Sequence, residues 1–330
     1  MKNKFSLDNI PLNDQKTFDL INSGKTAGIF QISATPTTEL AKEIKINSFE
    51  DIIATVALVR PGPTKSGITK KYIKRKHGEK WEPMHPIYED VTKYTYGLAI
   101  FQEDIMRIIS RVAGLPESTA DQIRKVIGKK RDAKEFEPYR IKFIDGCKEQ
   151  KTLSKKEAKT FWEGLLEWAE YGFSRNHSAP YSLISYQTAY LKANYPVEFT
   201  CACLSFADYD DNNPEDLRQK TELLNEVREL GITIVPPKIK HSDPVRWVAK
   251  GDKIYVPFIE IQGFGEQQAL KCAKCKPTGE PRLKGFFGKE YEPAVKEKSV
   301  SDLVLDELFC HDPEKMPSKK ALSKHFGFDI

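Results

Sequence analysis

Basic side chains that could bind phosphate gather in one part of the chain. Eight of the 12 arginines fall between positions 60 and 175, and a planar guanidinium suits bidentate phosphate binding better than an ammonium does. The string Val59-Arg60-Pro61-Gly62-Pro63 places one arginine at the end of an apolar helix, directly before a proline-locked turn. This arrangement predicts a preorganised phosphate contact by Arg60. The alternative is an exposed arginine at an ordinary helix stop.

A second basic cluster occupies residues 123–131. Its five cations surround Gly128 and are Arg124, Lys125, Lys129, Lys130 and Arg131. On a helix, positions 124, 128 and 131 share one face, so the basic surface would be continuous. Such a surface can bind a triphosphate or a nucleic-acid backbone. A solvated helix face is the alternative reading.

Hydrogen-bonding and aromatic side chains crowd the segment 172–187, which reads GFSRNHSAPYSLISYQ. We predict a polar turn over 172–178 and a helix from Tyr181 to Asn194. Free N–H groups at the start of a helix attract anions, and Arg175 adds positive charge. His177, Ser178 and Tyr181 could order a nucleotide there, with aromatic rings stacking on a base. The alternative is a helix cap with satisfied polar groups.

A short glycine motif, Ile261-Gln262-Gly263-Phe264-Gly265-Glu266, lies between a predicted strand and a predicted helix. It is similar to a helix-hairpin-helix, in which glycines let backbone N–H groups meet a DNA phosphate. Gly263 and Gly265 are therefore candidate DNA-binding residues. Short glycine motifs are common, so this signal is weak by itself.

Two other groups of residues could do chemistry but fit it poorly. Asp208 and Asp210 could hold Mg²⁺ for a nuclease, but they lie in an acidic loop rich in Asn and Pro, which is typical of a linker. Cys272 and Cys275 could form a zinc site with Cys310 and His311, although the long gap and the adjacent Cys-His pair are unusual spacing.

Composition narrows the class of protein. Among 330 residues, 39% are hydrophobic and 30% are charged, with a net charge of +5. No run of about 18 apolar residues exists, which excludes a membrane-spanning helix. Six scattered cysteines and the lack of a secretory signal at the start favour a reducing, cytoplasmic location. The mild positive charge is compatible with a polyanionic partner.

Apolar periodicity predicts a mainly α-helical fold with a small β-hairpin and a helix-hairpin-helix element. The predicted helices of the first 206 residues cover 14–25, 35–46, 49–59, 98–112, 116–131, 132–150, 154–171, 181–194 and 197–206, and Ile29–Ile32 reads as β-like. Further on we predict a helix over 217–230, a strand over 231–235 and a hairpin formed by 245–248 and 253–261. A helix follows within 262–275, and short helices lie near 301–309 and 317–326.

These strings together resemble the alpha subunit of bacterial DNA polymerase III, the family C replicative polymerases. The resemblance runs from about Ile10 to Ala269 and rests on IPLNDQKTFDL, GIFQ, FEDIIATVALVRPGP, KRKHG, YGLAIFQEDIMRI, ADQIRKVIGKKR, YGFSRNHSAPYSLISYQTAYLKANYPVEF, GITIVPP and IQGFGE. Many ordered matches over most of a chain are far more specific than any single motif.

The resemblance implies the fingers region followed by the start of the duplex-binding part. We therefore expect a helical lead-in over 1–57, a nucleotide-facing fingers core over 58–206, a linker with a helix and a strand over 207–250, and the hairpin and helix-hairpin-helix with a variable insert over 251–330. Triphosphate contacts are expected from Arg60, Lys125, Lys129, Lys130 and Arg175, with His177, Ser178 and Tyr181 ordering the pocket. DNA contacts are expected from Arg124, Arg131, Gly263 and Gly265.

The implied partners are a deoxynucleoside triphosphate, primer-template DNA and a palm-containing polypeptide from a bacterium or phage. In this family the palm aspartates hold Mg²⁺, and the expected palm would precede residue 1, so we expect no metal on this chain and no polymerase activity from it alone. A non-enzymatic nucleic-acid-binding protein derived from a polymerase is the alternative.

This chain also departs from the family pattern at several positions. Ser174-Arg175-Asn176 replaces the usual Asn-Lys-Ser, and Pro180 replaces an alanine. The first change keeps the positive charge but alters the polar groups around it. Residues 272–316 match the family poorly and resemble an insert, whereas the closing ALSKHFGFD is again similar to the family.

Overall fold

The computed structural model describes residues 6–128, 133–206, 213–261 and 263–274. The chain divides into two compact units, Met1–Tyr190 and Leu191–Ile330. The mainly helical fold with a small sheet is confirmed. Lys129, Lys130, Arg131, Asp208 and Asp210 lie outside the described residues, as does everything after residue 274.

Helices account for nearly all regular structure of the first unit. They are α1 (Gln15–Ser23), α2 (Thr35–Ile44), α3 (Phe49–Leu58), α4 (Pro61–Lys65), α5 (Ile68–Lys76), α6 (Pro86–Thr92), α7 (Gln102–Ala113), α8 (Glu117–Gly128), α9 (Ala133–Glu149), α10 (Lys155–Tyr171) and α11 (Arg175–Asn194). Local sequence defines several starts, because Asp14 accepts the Thr17 N–H at 2.9 Å and Ser48 accepts the Asp51 N–H at 3.2 Å. Both are N-caps of the preferred residue types.

The main core of this unit lies among α6 to α10. Ile105, Ile109 and Val112 repeat along the buried face of α7 and meet aromatic side chains of α9 and α10 such as Phe143 and Trp162. A Cβ at Gly146 would collide with the carbonyl oxygen of Ala113, so glycine allows α9 to pass directly over the end of α7. This packed block supports the residues that precede α7 and α11.

Up to residue 274, the described part of the second unit combines three helices with a three-stranded sheet. Its helices are α12 (Pro196–Phe206), α13 (Pro214–Glu229) and α14 (Glu266–Ala273), and its strands are β1 (Thr233–Val235), β2 (Val248–Lys250) and β3 (Lys253–Tyr255). The sheet order is β1-β3-β2. β2 and β3 form the predicted antiparallel hairpin around Gly251 and Asp252, and β1 adds in parallel to β3. The strands differ from the predicted 245–248 and 253–261, since β2 begins at Val248 and Phe258–Glu260 is a 3-10 helix.

The predicted β-like segment Ile29–Ile32 is wrong. Gly28 and Gln31 adopt positive φ angles of 76° and 62°, and the N–H of Ile32 donates to the carbonyl of Ile29 at 3.3 Å. Both isoleucines are fully buried. Their spacing of three therefore belongs to a tight turn that inserts two side chains into the core.

Three other predicted features also differ from the structure. The Pro61-Gly62-Pro63 turn is the first turn of α4, with Arg60 as its N-cap residue, because proline is well suited to the first helical position. Residues 98–101 are not helical, and α7 begins at Gln102. α11 begins at Arg175 rather than near Tyr181 and contains Pro180.

Candidate nucleotide-facing site

An isolated bridge between two extended segments brings the starts of α7 and α11 together. Phe101 and Phe173 pair in parallel. The N–H of Phe173 donates to the carbonyl of Ile100 at 3.0 Å, and the N–H of Gln102 donates to the carbonyl of Phe173 at 2.9 Å. These bonds place the polar 172–178 segment beside the first turn of α7. α7 therefore begins only at Gln102, because residues 100 and 101 form this bridge with Phe173 instead of helix.

The side chain of Glu103, in the first turn of α7, caps the start of α11. Its Oε2 accepts the backbone N–H of Arg175 at 2.8 Å, and its Oε1 accepts the Ser174 hydroxyl at 2.9 Å and the Asn176 N–H at 3.3 Å. A carboxylate is well suited to the positive end of a helix dipole. The helix terminus that the sequence offered to an external anion is thus capped by the protein's own side chain. The sequence contained no signal for this long-range contact.

The Arg175 side chain is held in an ion pair. One terminal nitrogen donates to both carboxylate oxygens of Glu50, at 3.0 and 2.8 Å. The guanidinium carbon lies 4.7 Å from the centre of the Tyr94 ring and 5.3 Å from that of Phe101. The other terminal nitrogen, Nη1, is buried without a hydrogen-bond partner. Arg175 therefore belongs to a fixed network and keeps one unused donor.

Arg60 has a different environment. Its side chain is exposed, and the guanidinium carbon lies 3.7 Å above the centre of the Phe173 ring, a close cation–π contact. Within the described ranges no carboxylate lies within ion-pair distance of it. A planar cation supported on an aromatic ring and open to solvent is preorganised for a phosphate group.

A series of ring contacts runs from Phe173 through His177 and Tyr181 of α11 to Phe30. Phe173 meets His177 edge-on at 5.5 Å between ring centres, and His177 lies 4.1 Å from Tyr181. Tyr181 in turn lies 5.6 Å from Phe30. We call Arg60, Phe173, His177, Tyr181 and Phe30 the aromatic row. Phe30 and Phe173 were not among the predicted site residues, although both lie in strings that carry the resemblance.

Ser178 has a structural position. It is fully buried, and its hydroxyl donates to the carbonyl of Ile53 at 2.7 Å, joining α11 to α3. Its side chain is therefore not part of the aromatic row, and it acts on that row only by fixing α11 against α3.

The basic residues of α8 share one carboxylate. Arg124 donates to Asp121 at 2.8 Å and Lys125 donates to it at 2.6 Å. These hydrogen bonds hold the pKa of the Asp121 carboxyl below its usual range, and the bond from Lys125 contributes more than the bonds from Arg124. Arg124 also donates to Gln102 at 2.9 Å, and Gln102 donates to the carbonyl of Gly172 at 2.9 Å. α8 is thereby connected to the same turn as the aromatic row.

A buried carboxyl group lies beneath this surface. Asp104 is fully buried, accepts a hydrogen bond from the Tyr94 hydroxyl, and leaves its Oδ2 without a partner. Burial raises its pKa to about 6, against the opposing effects of the Tyr94 hydrogen bond and the Arg175 charge. Burial also raises the pKa of Tyr94.

This raised pKa predicts an unusual pH dependence. Between about pH 4 and 6 the folded state binds more protons at Asp104 than the unfolded state, so its contribution lowers stability as pH rises through that window. Asp104→Asn removes this titratable group. The difference in free energy of unfolding between the variant and wild type should therefore change by about 1–3 kcal/mol in favour of the variant as pH rises from 4 to 7. Urea denaturation at several pH values measures this.

A matched control is Asp90→Asn. Asp90 is exposed, and hydrogen bonds from Arg111 and Lys93 lower its pKa. Its contribution to stability is present above the unfolded pKa and is lost as pH falls. A constant difference between Asp104→Asn and wild type over the whole range would contradict the assignment.

The glycine motif lies in the second unit. Gly263 has a φ of 84° and nothing within 4 Å of the position of a Cβ, and Gly265 is the N-cap residue of α14. The Gly265 N–H donates to the side chain of Gln268 at 3.1 Å. In place of a full first helix, the one-turn 3-10 helix Phe258–Glu260 precedes this turn.

Other chemistry has little support in the described part of the chain. No group of three His, Cys, Asp or Glu side chains there is arranged to hold a metal ion. Cys272 is buried, whereas Cys275, Cys310 and His311 lie outside the described residues. Burial raises the pKa of Cys147 to about 11 and that of Cys201 to about 12. None of the helices in this part has the length and apolar character needed to span a bilayer.

Comparisons with known protein sequences indicate the family. Residues 1–151 match the bacterial DNA polymerase III alpha subunit finger domain. The DNA polymerase III subunit alpha of Aquifex aeolicus is 37% identical over 320 residues, which cover 96% of this chain and 26% of that protein. Its counterpart from Thermus aquaticus is 36% identical over 90% of this chain and 24% of its own length. That of Pseudomonas aeruginosa is 35% identical over 96% and 27%.

These matches define residues 1–151 as a polymerase finger domain. The chain spans about a quarter of the length of the curated relatives that it matches. The chain belongs to the bacterial DNA polymerase III alpha subunit family.

Proposed function

We propose that this chain provides the fingers surface of a DNA-directed DNA polymerase, where it contacts the triphosphate of an incoming deoxynucleotide and the primer-template. The observation that carries the proposal is the exposed Arg60 guanidinium held 3.7 Å above Phe173, at one end of the aromatic row. A guanidinium binds phosphate oxygens in a bidentate manner, and neighbouring rings can stack on a base.

The surrounding residues divide into contacts and supports. Arg60 makes the main phosphate contact, whereas Arg175, which is paired with Glu50 and whose other terminal nitrogen is buried, adds positive charge behind it. His177 and Tyr181 contact the nucleotide, while Ser178, Glu50 and Glu103 hold their helices and side chains in place. Lys125, Lys129 and Lys130 add positive charge toward the triphosphate. Arg124, Arg131 and the Gly263–Gly265 turn contact the DNA backbone.

The chemical step requires a palm in the complete polymerase. Carboxylate-bound Mg²⁺ there would assist attack of the primer hydroxyl on the α-phosphate. The fingers residues described above would bind and orient the nucleotide and exclude an incorrect one by closing only on a correct pair. The expected partners are therefore a deoxynucleoside triphosphate, primer-template DNA and a palm-containing polypeptide.

This proposal predicts that the isolated chain does not extend a primer in the presence of Mg²⁺ and deoxynucleotides. A chimera in which it replaces the matching segment of the Aquifex aeolicus relative should extend the same primer. Gel analysis of a labelled primer measures both. Extension by the isolated chain that persists after removal of host polymerases would contradict the prediction. An inactive, folded chimera whose inserted chain still binds DNA would favour a non-enzymatic nucleic-acid-binding protein.

A further inference from the structure

A cavity of about 270 Å³ lies on the first unit, lined by residues of α5, the loop before α6, the segment 97–99 and α10. None of the aromatic row lines it. Its aromatic walls come from Trp81, Tyr88 and Trp168. The volume falls just below the range of about 300–1,000 Å³ typical of small-molecule sites. The cavity therefore suits one small flat group better than a whole nucleoside triphosphate.

The aromatic walls are built rigidly. Tyr88 and Trp168 are buried with ring centres 4.8 Å apart. Trp81 is half-buried and packs so closely on Gly97 that a Cβ there would collide with the indole nitrogen. The Trp81 N–H donates to Glu89 at 3.3 Å, and Arg75 lies 5.1 Å from the Trp81 ring centre. Rings held in this way lose little freedom when a ligand stacks on them.

The helix beside this cavity carries only positive charge. α5 contains five cations and no acidic residue: Lys70, Lys71, Lys74, Arg75 and Lys76. Lys76 pairs with Asp51 at 2.6 Å, and Arg75 donates to the carbonyls of Tyr96 and Gly97 at 3.1 and 2.9 Å. The three remaining lysines, Lys70, Lys71 and Lys74, are exposed and, over residues 6–128 and the other described ranges, have no carboxylate at ion-pair distance.

We infer that this cavity is a single-stranded DNA site that takes one unpaired base, while the α5 lysines bind the adjacent phosphates. Lys71 lines the cavity and is also one of the three exposed α5 lysines, so the cavity and the basic surface are continuous. Aromatic platforms next to a basic track are the standard means of binding single strands without sequence preference. Met84, whose side chain is 56% exposed, supplies an apolar edge at the opening.

The two carboxylates of the cavity wall are compatible with this occupant. Glu82 and Glu89 both line the cavity, and Glu89 already accepts the Trp81 N–H. Carboxylate oxygens can accept hydrogen bonds from base N–H groups, including the ring N–H of thymine. They would repel a phosphate placed inside, so the base enters the cavity and the phosphates remain on α5.

The test is a fluorescence anisotropy titration of a labelled oligothymidylate of about 10 nucleotides, a typical site size, with the full 330-residue chain. We expect Trp81→Ala to weaken binding on the order of tenfold, and Met84→Glu to weaken it as well. Trp81→Phe keeps a stacking ring and should stay within about twofold of wild type. Phe206→Ala, which removes a 73% exposed ring of the second unit, is the matched control and should have no effect.

Salt dependence tests the lysines separately. Each phosphate contact on a single strand contributes about 0.7 to the slope of log affinity against log salt. Replacing Lys70, Lys71 and Lys74 together by alanine should therefore reduce the slope by about 2. These residues are exposed, so the change leaves the fold intact.

Wild-type affinity in both Trp81→Ala and Met84→Glu would overturn the inference, as would an unchanged salt slope in the triple lysine variant. Thymidine monophosphate should bind much more weakly than the oligonucleotide; equal affinity would show a free-nucleotide site and overturn the single-strand assignment. None of these measurements uses primer extension, so failure here and failure of the proposed polymerase function are distinguishable.

Discussion

Arg60→Ala should lower kcat/KM for deoxynucleotide incorporation on the order of 100-fold in the active chimera, through loss of a charged contact to the triphosphate. The guanidinium is exposed and rests on Phe173, so its removal leaves no buried charge behind and should not unfold the protein. Single-nucleotide incorporation measured over a range of nucleotide concentrations gives the ratio.

The conservative variant separates charge from geometry. Arg60→Lys keeps the positive charge but loses the planar group that lies on the ring, so its kcat/KM should fall between wild type and Arg60→Ala. Arg111→Ala is the matched control, because Arg111 is an exposed arginine paired with Asp90 outside the aromatic row. Equal activity of Arg60→Ala and Arg111→Ala would contradict a triphosphate contact.

Lys76→Met should lower the free energy of unfolding by about 3 kcal/mol or more. The Lys76 and Asp51 side chains are only 6% and 2% exposed and lie 2.6 Å apart. Removing the cation leaves Asp51 as a buried carboxylate with no opposite charge. Its remaining hydrogen bonds, from the Asn47 and Ser48 N–H groups and from the Tyr72 hydroxyl at 3.1 Å, keep Asp51 partly solvated by the protein, so the loss should stay within the range for broken buried pairs. Chemical denaturation measures it.

This ion pair also bears on the proposed site. Asp51 belongs to α3 and Lys76 to α5, the two helices that flank α4 and its N-cap residue Arg60. Burial, together with the Asp51 charge, raises the pKa of the neighbouring Tyr72 hydroxyl, as expected for a densely packed polar cluster. Loosening this cluster should therefore disturb the position of Arg60 as well as global stability.

The control for this prediction is Lys42→Met. Lys42 pairs with Glu39 at 3.1 Å, but the two side chains are 42% and 57% exposed, so its loss should cost less than about 0.5 kcal/mol. The double variant Asp51→Asn/Lys76→Met should recover part of the stability lost in Lys76→Met, because it leaves no unpaired charge. A Lys76→Met protein as stable as Lys42→Met would contradict the assignment.

Local signals in the sequence were sufficient for most of the helices. Asp14 and Ser48 cap α1 and α3 as their residue types suggest, and the apolar repeat of α7 is buried as its spacing indicates. Such features depend on interactions between residues a few positions apart. They can therefore be deduced from the chain alone, and so could the family, since ordered motifs recur along most of its length.

Tertiary structure alone decided which cations are available. The sequence motifs gave no reason to distinguish Arg60 from Arg175. In the structure, Arg175 is paired with Glu50, 125 positions away, whereas Arg60 lies on the Phe173 ring and faces solvent. Glu103 caps α11 from another helix, and Trp81 meets the basic face of α5 across a cavity. The sequence determines which side chains carry charge or can form hydrogen bonds. Which of them stay available to a ligand depends on contacts between residues far apart in the chain, and only tertiary packing creates those contacts.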